Sequence, residues 1–233
     1  NDDRDWANKI ERIIEQLESC FNEALVALVL FDREKEFDFT EIKKVFLEER
    51  EKRIKIKSSI DNEYDYGTFE NDNKLRQKTD AILNQERLNE GELPLHLKMK
   101  VPFIYAKSFL YSLDSIEKTI KNLSAIPGVP SEISKVKMMI RESFPDLIHV
   151  RDSSHHIDER VLGQQKGKPI ELKSMDADGM KSIDGVLDTG RLAGSSFGCT
   201  MYNGSYGKVD VTWETLEIVR DIIQKVIDSF KWK

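Results

Sequence analysis

At 233 residues, with 39% apolar and 33% charged positions, the chain has material for one sizeable core, and its charge-rich balance fits long amphipathic helices better than a β-sandwich. A formal net charge of -6 excludes a protein that coats nucleic acid by bulk electrostatics and leaves only a local basic site open. Cys20 and Cys199, far apart and without ligand spacing, exclude a disulfide framework and a zinc site and fit a reducing cytoplasm.

From Asp5 to about Phe31 the apolar residues Trp6, Ile10, Ile13, Leu17, Phe21, Ala24, Leu28 and Phe31 recur at steps of three and four, which predicts a long helix with a bundle seam. Within it the run ALVALVLF, 24–31, is too short to cross a bilayer and follows no basic leader, so no membrane partner is expected. Asp38 and Glu41 resemble a capping box for a second helix opened by Ile42, Val45 and Phe46, which becomes basic at REKRIKIK, 50–57. That run could track an RNA backbone, yet the neighbouring Glu48, Glu49 and Glu51 make it read first as a charged helix face. Residues 61–73 read as a loop, and a short helix over about 74–89 stops at Gly91 and Pro94. A further helix from roughly Leu97 to Leu123 carries Phe109, Leu113, Ile116, Ile120 and Leu123 on its seam.

Ser131 is placed to cap a helix bearing Ile133, Val136 and Ile140, and Pro145 stands where a new helix tolerates a missing N–H. That next helix would run to Gly163 with Leu147, Val150, Ser154, Ile157 and Val161 facing the core. Residues 164–213 are rich in Gly, Ser and Asp; alternation in GCTMY and KVDVTW around Asn203-Gly204 predicts a hairpin, and the β element spans about 183–213. DADG, 176–179, starts like a calcium loop but continues with Met180 and Lys181, so an ordinary turn is expected. Leu216, Val219, Ile223, Val226 and Phe230 return to the helical seam, flanked by Trp213 and Trp232, which read as buried anchors. The predicted fold is mostly α: one domain over 1–233, a multi-helix bundle with a small β-hairpin or three-stranded insertion before the last helix.

Residues 149–163, HVRDSSHHIDERVLG, gather three of the four histidines with two arginines and three acids. On a straight helix Arg151, His155 and Asp158 share one edge, whereas His156 is turned about 140° from Arg151. A metal set of His149, His155, His156 and Asp158 does not converge on one ion from a single helix, so neither metal nor cofactor is expected. The plain alternative is a solvated face in which Arg151 and His155 are accidental neighbours.

The string Arg151-Asp152-Ser153-Ser154-His155-His156 on a late helix of a bundle resembles the Arg-x4-6-His motif of the HEPN superfamily. That resemblance implies a HEPN-like bundle that dimerises near the motif and a metal-independent endoribonuclease of toxin or defence type, with RNA as transient substrate. It implies His156 as general base or acid, Arg151 as phosphate clamp and Asp152 as orienting group, with His155 the rival that helical geometry favours. A partner protein, either an antitoxin or a defence component, and a cytoplasmic location would go with it. The competing expectation is a non-catalytic helical dimerisation or interaction module that binds a protein partner or a nucleotide.

Overall fold

The computed structural model describes residues 2–36, 39–60, 69–177 and 179–231. The protein is mostly α, with short antiparallel strand pairs and a three-stranded sheet before the final helix. The sequence reading draws one domain over 1–233; by internal packing the chain divides into two compact units, Asn1–Lys35 with Phe103–Lys233, and Glu36–Pro102.

The first unit is a helical bundle with the β element on it. Helices α1 (Asp2–Lys35) and α5 (Val101–Leu123) carry the predicted seams, with Leu17, Ala24, Leu28, Phe109, Leu113, Ile116, Ile120 and Leu123 fully buried. Trp6, Ile13 and Phe21 pack at the edge of this core. Helix α6 (Glu132–Ser143) buries Ile133, Val136 and Ile140, but Ser131 makes no side-chain cap and pairs its hydroxyl with Glu132 instead. The last helix, α9 (Trp213–Asp228), is capped by Thr212, whose side chain accepts from the Thr215 N–H, and packs against α1 and α6. Trp213 is not the expected buried anchor: it is nearly half exposed and donates from Nε1 to Asp32 at 2.7 Å. Trp232 and the Asp38 cap lie outside the described residues.

In the same unit, strands β5 (Arg191–Ala193), β6 (Ser196–Thr200) and β7 (Tyr206–Asp210) form an antiparallel sheet in the order β5-β6-β7. The predicted Asn203-Gly204 turn joins β6 to β7, with Thr200 opposite Tyr206. Phe197, Cys199, Val209 and Val211 enter the bundle core, so burial against helices stabilises a sheet too small to hold its own core. Two smaller hairpins precede it, β1 (Gln164–Gln165) with β2 (Lys168–Pro169) and β3 (Met175–Ala177) with β4 (Met180–Ser182); strand structure therefore begins well before residue 183. Within DADG, Asp178 lies outside the described residues, and Asp176 of β3 pairs with Lys181 of β4 across the strands at 3.0 Å.

The second unit contains α2 (Phe39–Ile60), α3 (Phe69–Asn89) and the short α4 (Leu95–Lys98). Helix α3 starts five residues before the predicted point, so 69–73 are helical rather than loop; residues 61–68 lie outside the described set. Ile56 and Ile60 of α2 meet Leu75 and Leu83 of α3. Two of the five cations in the basic run are engaged, since Arg53 pairs with Asp80 and Lys52 with Glu90. Helix α5 does not begin at Leu97 as expected, because Pro102 has no N–H to join the ladder from α4 and fits only a first helical turn.

Candidate functional site

Helix α7 (Leu147–His155) is anchored by Leu147 and Val150 in the core and held to the sheet by two links. The Lys208 N–H donates to Asp146 at 3.2 Å, and the Cys199 thiol lies 3.6 Å from the Val150 carbonyl. The single helix expected through to Gly163 is broken at His156 (φ -96°, ψ 47°), and α8 (Ile157–Val161) follows. Ser153, Ser154, His155 and His156 are all modest helix formers, so little intrinsic propensity holds the ladder straight there. The break overturns the expected core stripe. Ile157 and Val161 face solvent, and Arg160 turns inward to 3% exposure. Its Nη1 donates to the Gln164 carbonyl at 2.6 Å, its Nε to the Ser153 hydroxyl at 3.4 Å, and Glu159 stands 3.6 Å away.

This rearrangement separates the predicted site residues into two places. Asp152 and His156 line an open groove with His149 from α7, Glu159 and Arg160 from α8, Gln165 and Lys166 from the first hairpin, and Tyr202 from the β6–β7 turn. The His149 and Tyr202 rings lie 4.9 Å apart at 52°. Arg151 and His155 are not among the groove's lining residues. The Arg151 guanidinium lies between two carboxylates, with Nε 2.9 Å from Asp114 of α5 and Nη1 2.7 Å from Asp152. Asp114 is buried, and its second oxygen meets Lys118 at 2.8 Å. Although close, the Arg151 Nε–H is not aligned on Asp114, so this contact is an ion pair without a hydrogen bond. The His155 ring lies edge-on to Tyr111 of α5 at 6.3 Å and stands nearly perpendicular to His156. Asp152 therefore links the two places: it takes charge from Arg151 on one side and lines the groove on the other.

Lys166 reaches the groove through an unusual backbone. Lys166 and Gly167 form the two-residue link of the β1–β2 hairpin with φ of 49° and 74°, the left-handed conformations of a type I′ turn. Glycine and asparagine are the ordinary occupants of such positions; among the described residues Lys166 is the one non-glycine with positive φ. Its N–H donates to Glu159 at 2.7 Å, which helps offset the strain.

Cys199 lies beneath α7 and is chemically quiet. Burial, then the charge of Asp188, pushes its thiol up to about 12, so it stays protonated and is no nucleophile. Among the described residues no group of three or more His, Cys, Asp or Glu side chains is arranged to hold a metal ion. None of their helices is long and apolar enough to cross a membrane. Sequence reasoning considered His149 only as a metal ligand and passed over Lys166 and Tyr202. The Lys166-Gly167 pair between short polar runs was a legible turn signal, but nothing in the sequence ties Tyr202 to α7. No family model matches the chain, and comparison with the curated proteins and the solved structures finds no similar protein.

Proposed function

We propose that this protein is a HEPN-like, metal-independent endoribonuclease whose reaction takes place in the groove between α7, α8 and the hairpins. The observation that carries the reading is that two histidines, His149 and His156, and Lys166 line one open groove. Transesterification of RNA can be carried out by three such groups. A neutral imidazole takes the proton from the 2′-hydroxyl as its oxygen attacks phosphorus, and a protonated imidazole gives one to the departing 5′-oxygen. A cation offsets the charge gathering on the phosphoryl oxygens. The P–O5′ bond breaks, leaving a 2′,3′-cyclic phosphate and a 5′-hydroxyl. In this assignment His156 is one proton carrier and His149 the other. Arg151 acts as a positioning residue, its charge holding Asp152 at the groove wall beside the imidazoles.

The exposed side chains Ile157, Val161 and Leu162 form an apolar strip on and just after α8. They favour a two-fold dimer with residues 145–162 near the axis, and they equally support the second reading, a non-catalytic interaction module that pairs through this strip. Under the first reading RNA is a transient substrate, and the protein acts as a toxin or defence ribonuclease with a protein partner that restrains or triggers it. Light scattering that returns 27.0 kDa at micromolar concentration would count against the dimer in both readings.

An RNA cleavage assay on the full chain, with and without chelator, tests the enzyme reading. His156→Ala and His149→Ala should each slow cleavage about a hundredfold or more, the usual size for loss of an acid or base. His155→Ala, on the Tyr111 side, should be nearly silent. Cleavage should persist in chelator and show a bell-shaped pH profile. Full activity in the His149→Ala, His156→Ala double variant would place the chemistry elsewhere.

A further inference from the structure

We propose that Tyr202, packed against His149, is the base-stacking wall of a site for single-stranded nucleotides, and that the phosphate next to the stacked base meets Lys166. The proposal deepens the ribonuclease reading and rests on the same groove, but it needs no reaction.

Tyr202 stands at the tip of the β6–β7 turn with 42% of its surface exposed. The turn that carries it is strongly fixed. The Met201 N–H donates to the Ser205 carbonyl at 2.8 Å, the Gly204 N–H returns to Met201 at 3.0 Å, and Asn203 accepts from the Ser205 N–H and hydroxyl. The Lys173 N–H, from the segment between β2 and β3, donates to the Gly204 carbonyl at 3.0 Å. An aromatic ring in that setting is preorganised and half bare, with His149 packed against it 4.9 Å away. A flat, rigid π-face open to a groove suits a nucleobase, and stacking is tolerant of which base arrives.

The charges around the groove select the second half of the ligand. Asp152 is offset by Arg151 at 2.7 Å, and Glu159 is engaged by the Lys166 N–H and the nearby Arg160. The Lys166 ammonium, by contrast, forms no ion pair among the described residues, and it is held at a left-handed turn position where a lysine is costly. The uncompensated charge facing the groove is therefore positive and lies on the same wall system as the bare aromatic face. A base and its phosphate combine those two features; a duplex hides its π-faces and does not. With a chain net charge of -6, affinity cannot come from bulk attraction, so it must come from the stack and this local cation.

Fluorescence anisotropy with the full chain and a short, labelled 2′-O-methyl oligouridylate tests this, since the blocked 2′-oxygen permits binding but no cleavage. Tyr202→Ala should weaken binding about 5- to 150-fold, the range for loss of one stacked base, while Tyr202→Phe should bind as the wild type does. Lys166→Ala should weaken binding and flatten the salt dependence by about 0.7 in log–log slope, as for one phosphate contact on a single strand. A duplex of equal length should compete poorly, and so should polyglutamate. Wild-type affinity in Tyr202→Ala, no binding by the wild type, or equal displacement by polyglutamate would each overturn the proposal. The two readings fail separately. Tyr202-dependent binding without any RNA cleavage leaves the nucleotide site and removes the enzyme. His156-dependent cleavage that is indifferent to Tyr202 leaves the enzyme and removes the stacking wall.

Discussion

Arg151→Ala removes the guanidinium that stands between Asp114 and Asp152, and its first consequence should be for stability rather than for chemistry. The Asp114 and Arg151 side chains are only 6% and 16% exposed, so deleting the cation leaves a carboxylate desolvated on α5. Breaking a buried pair from one side costs about 3–5 kcal/mol. Part of that is offset here, because Lys118 remains 2.8 Å from the other Asp114 oxygen, although that lysine side chain is half exposed. The expected loss is therefore about 2–3 kcal/mol, or roughly 5–10 °C in melting temperature for a unit of this size. Trp6 and Trp213 both belong to the first unit, so tryptophan fluorescence in a urea titration follows the unit that holds the pair. The substitution Asp114→Asn should rescue much of the loss: in that background Arg151→Ala should cost under about 1 kcal/mol, because no buried charge is stranded. A single Arg151→Ala variant within about 0.5 kcal/mol of wild type, or an unchanged cost in the Asp114→Asn background, would refute the reasoning. It follows that lost RNA cleavage in Arg151→Ala means little until the variant is shown to be folded under the assay conditions.

Other expectations are shorter. Cys199, with its thiol pushed up to about 12, should resist iodoacetamide in the folded protein at about pH 8 and react on unfolding. Because the folded value lies above the ordinary 9.0, the folded state holds the proton longer; this contribution is complete below about pH 9 and is lost as pH rises towards 12, and Cys199→Ala should flatten that part of the stability curve. Gly204→Ala should destabilise by more than about 2 kcal/mol, since φ is +80° and an added Cβ would collide with the Glu171 carbonyl; unchanged urea unfolding would contradict the turn geometry. Phe109→Ala, at a fully buried core position, should cost about 3–5 kcal/mol in the same titration.

The long helices and the main hairpin were legible because each is governed by local rules. The steps of three and four in α1, α5 and α9 expose one apolar stripe to a core, and Leu17, Leu113 and Val219 are buried as that spacing requires. Asn203-Gly204 announced its turn, since few other pairs tolerate the backbone there. Helix ends without a proline or glycine were harder: α3 extends back to Phe69 because Glu70 and Asp72 suit a first helical turn, which the polar composition had disguised as loop.

The site was decided differently. The sequence by itself concentrated the titratable groups at 149–163 and, read as a straight helix, placed Arg151 beside His155. Only the tertiary structure broke that helix at His156, turned Arg160 inward and sent His155 towards Tyr111 while His156 joined the groove. The weak helix propensity of residues 153–156 permits the break but does not place it. It follows from what packs around it: Ser153 and the Gln164 carbonyl offer Arg160 hydrogen bonds that Ile157 and Val161 cannot use. Likewise Asp114 and Tyr202 meet α7 from two other segments, and long-range contacts of that kind depend on the folded path of the chain rather than on any local period.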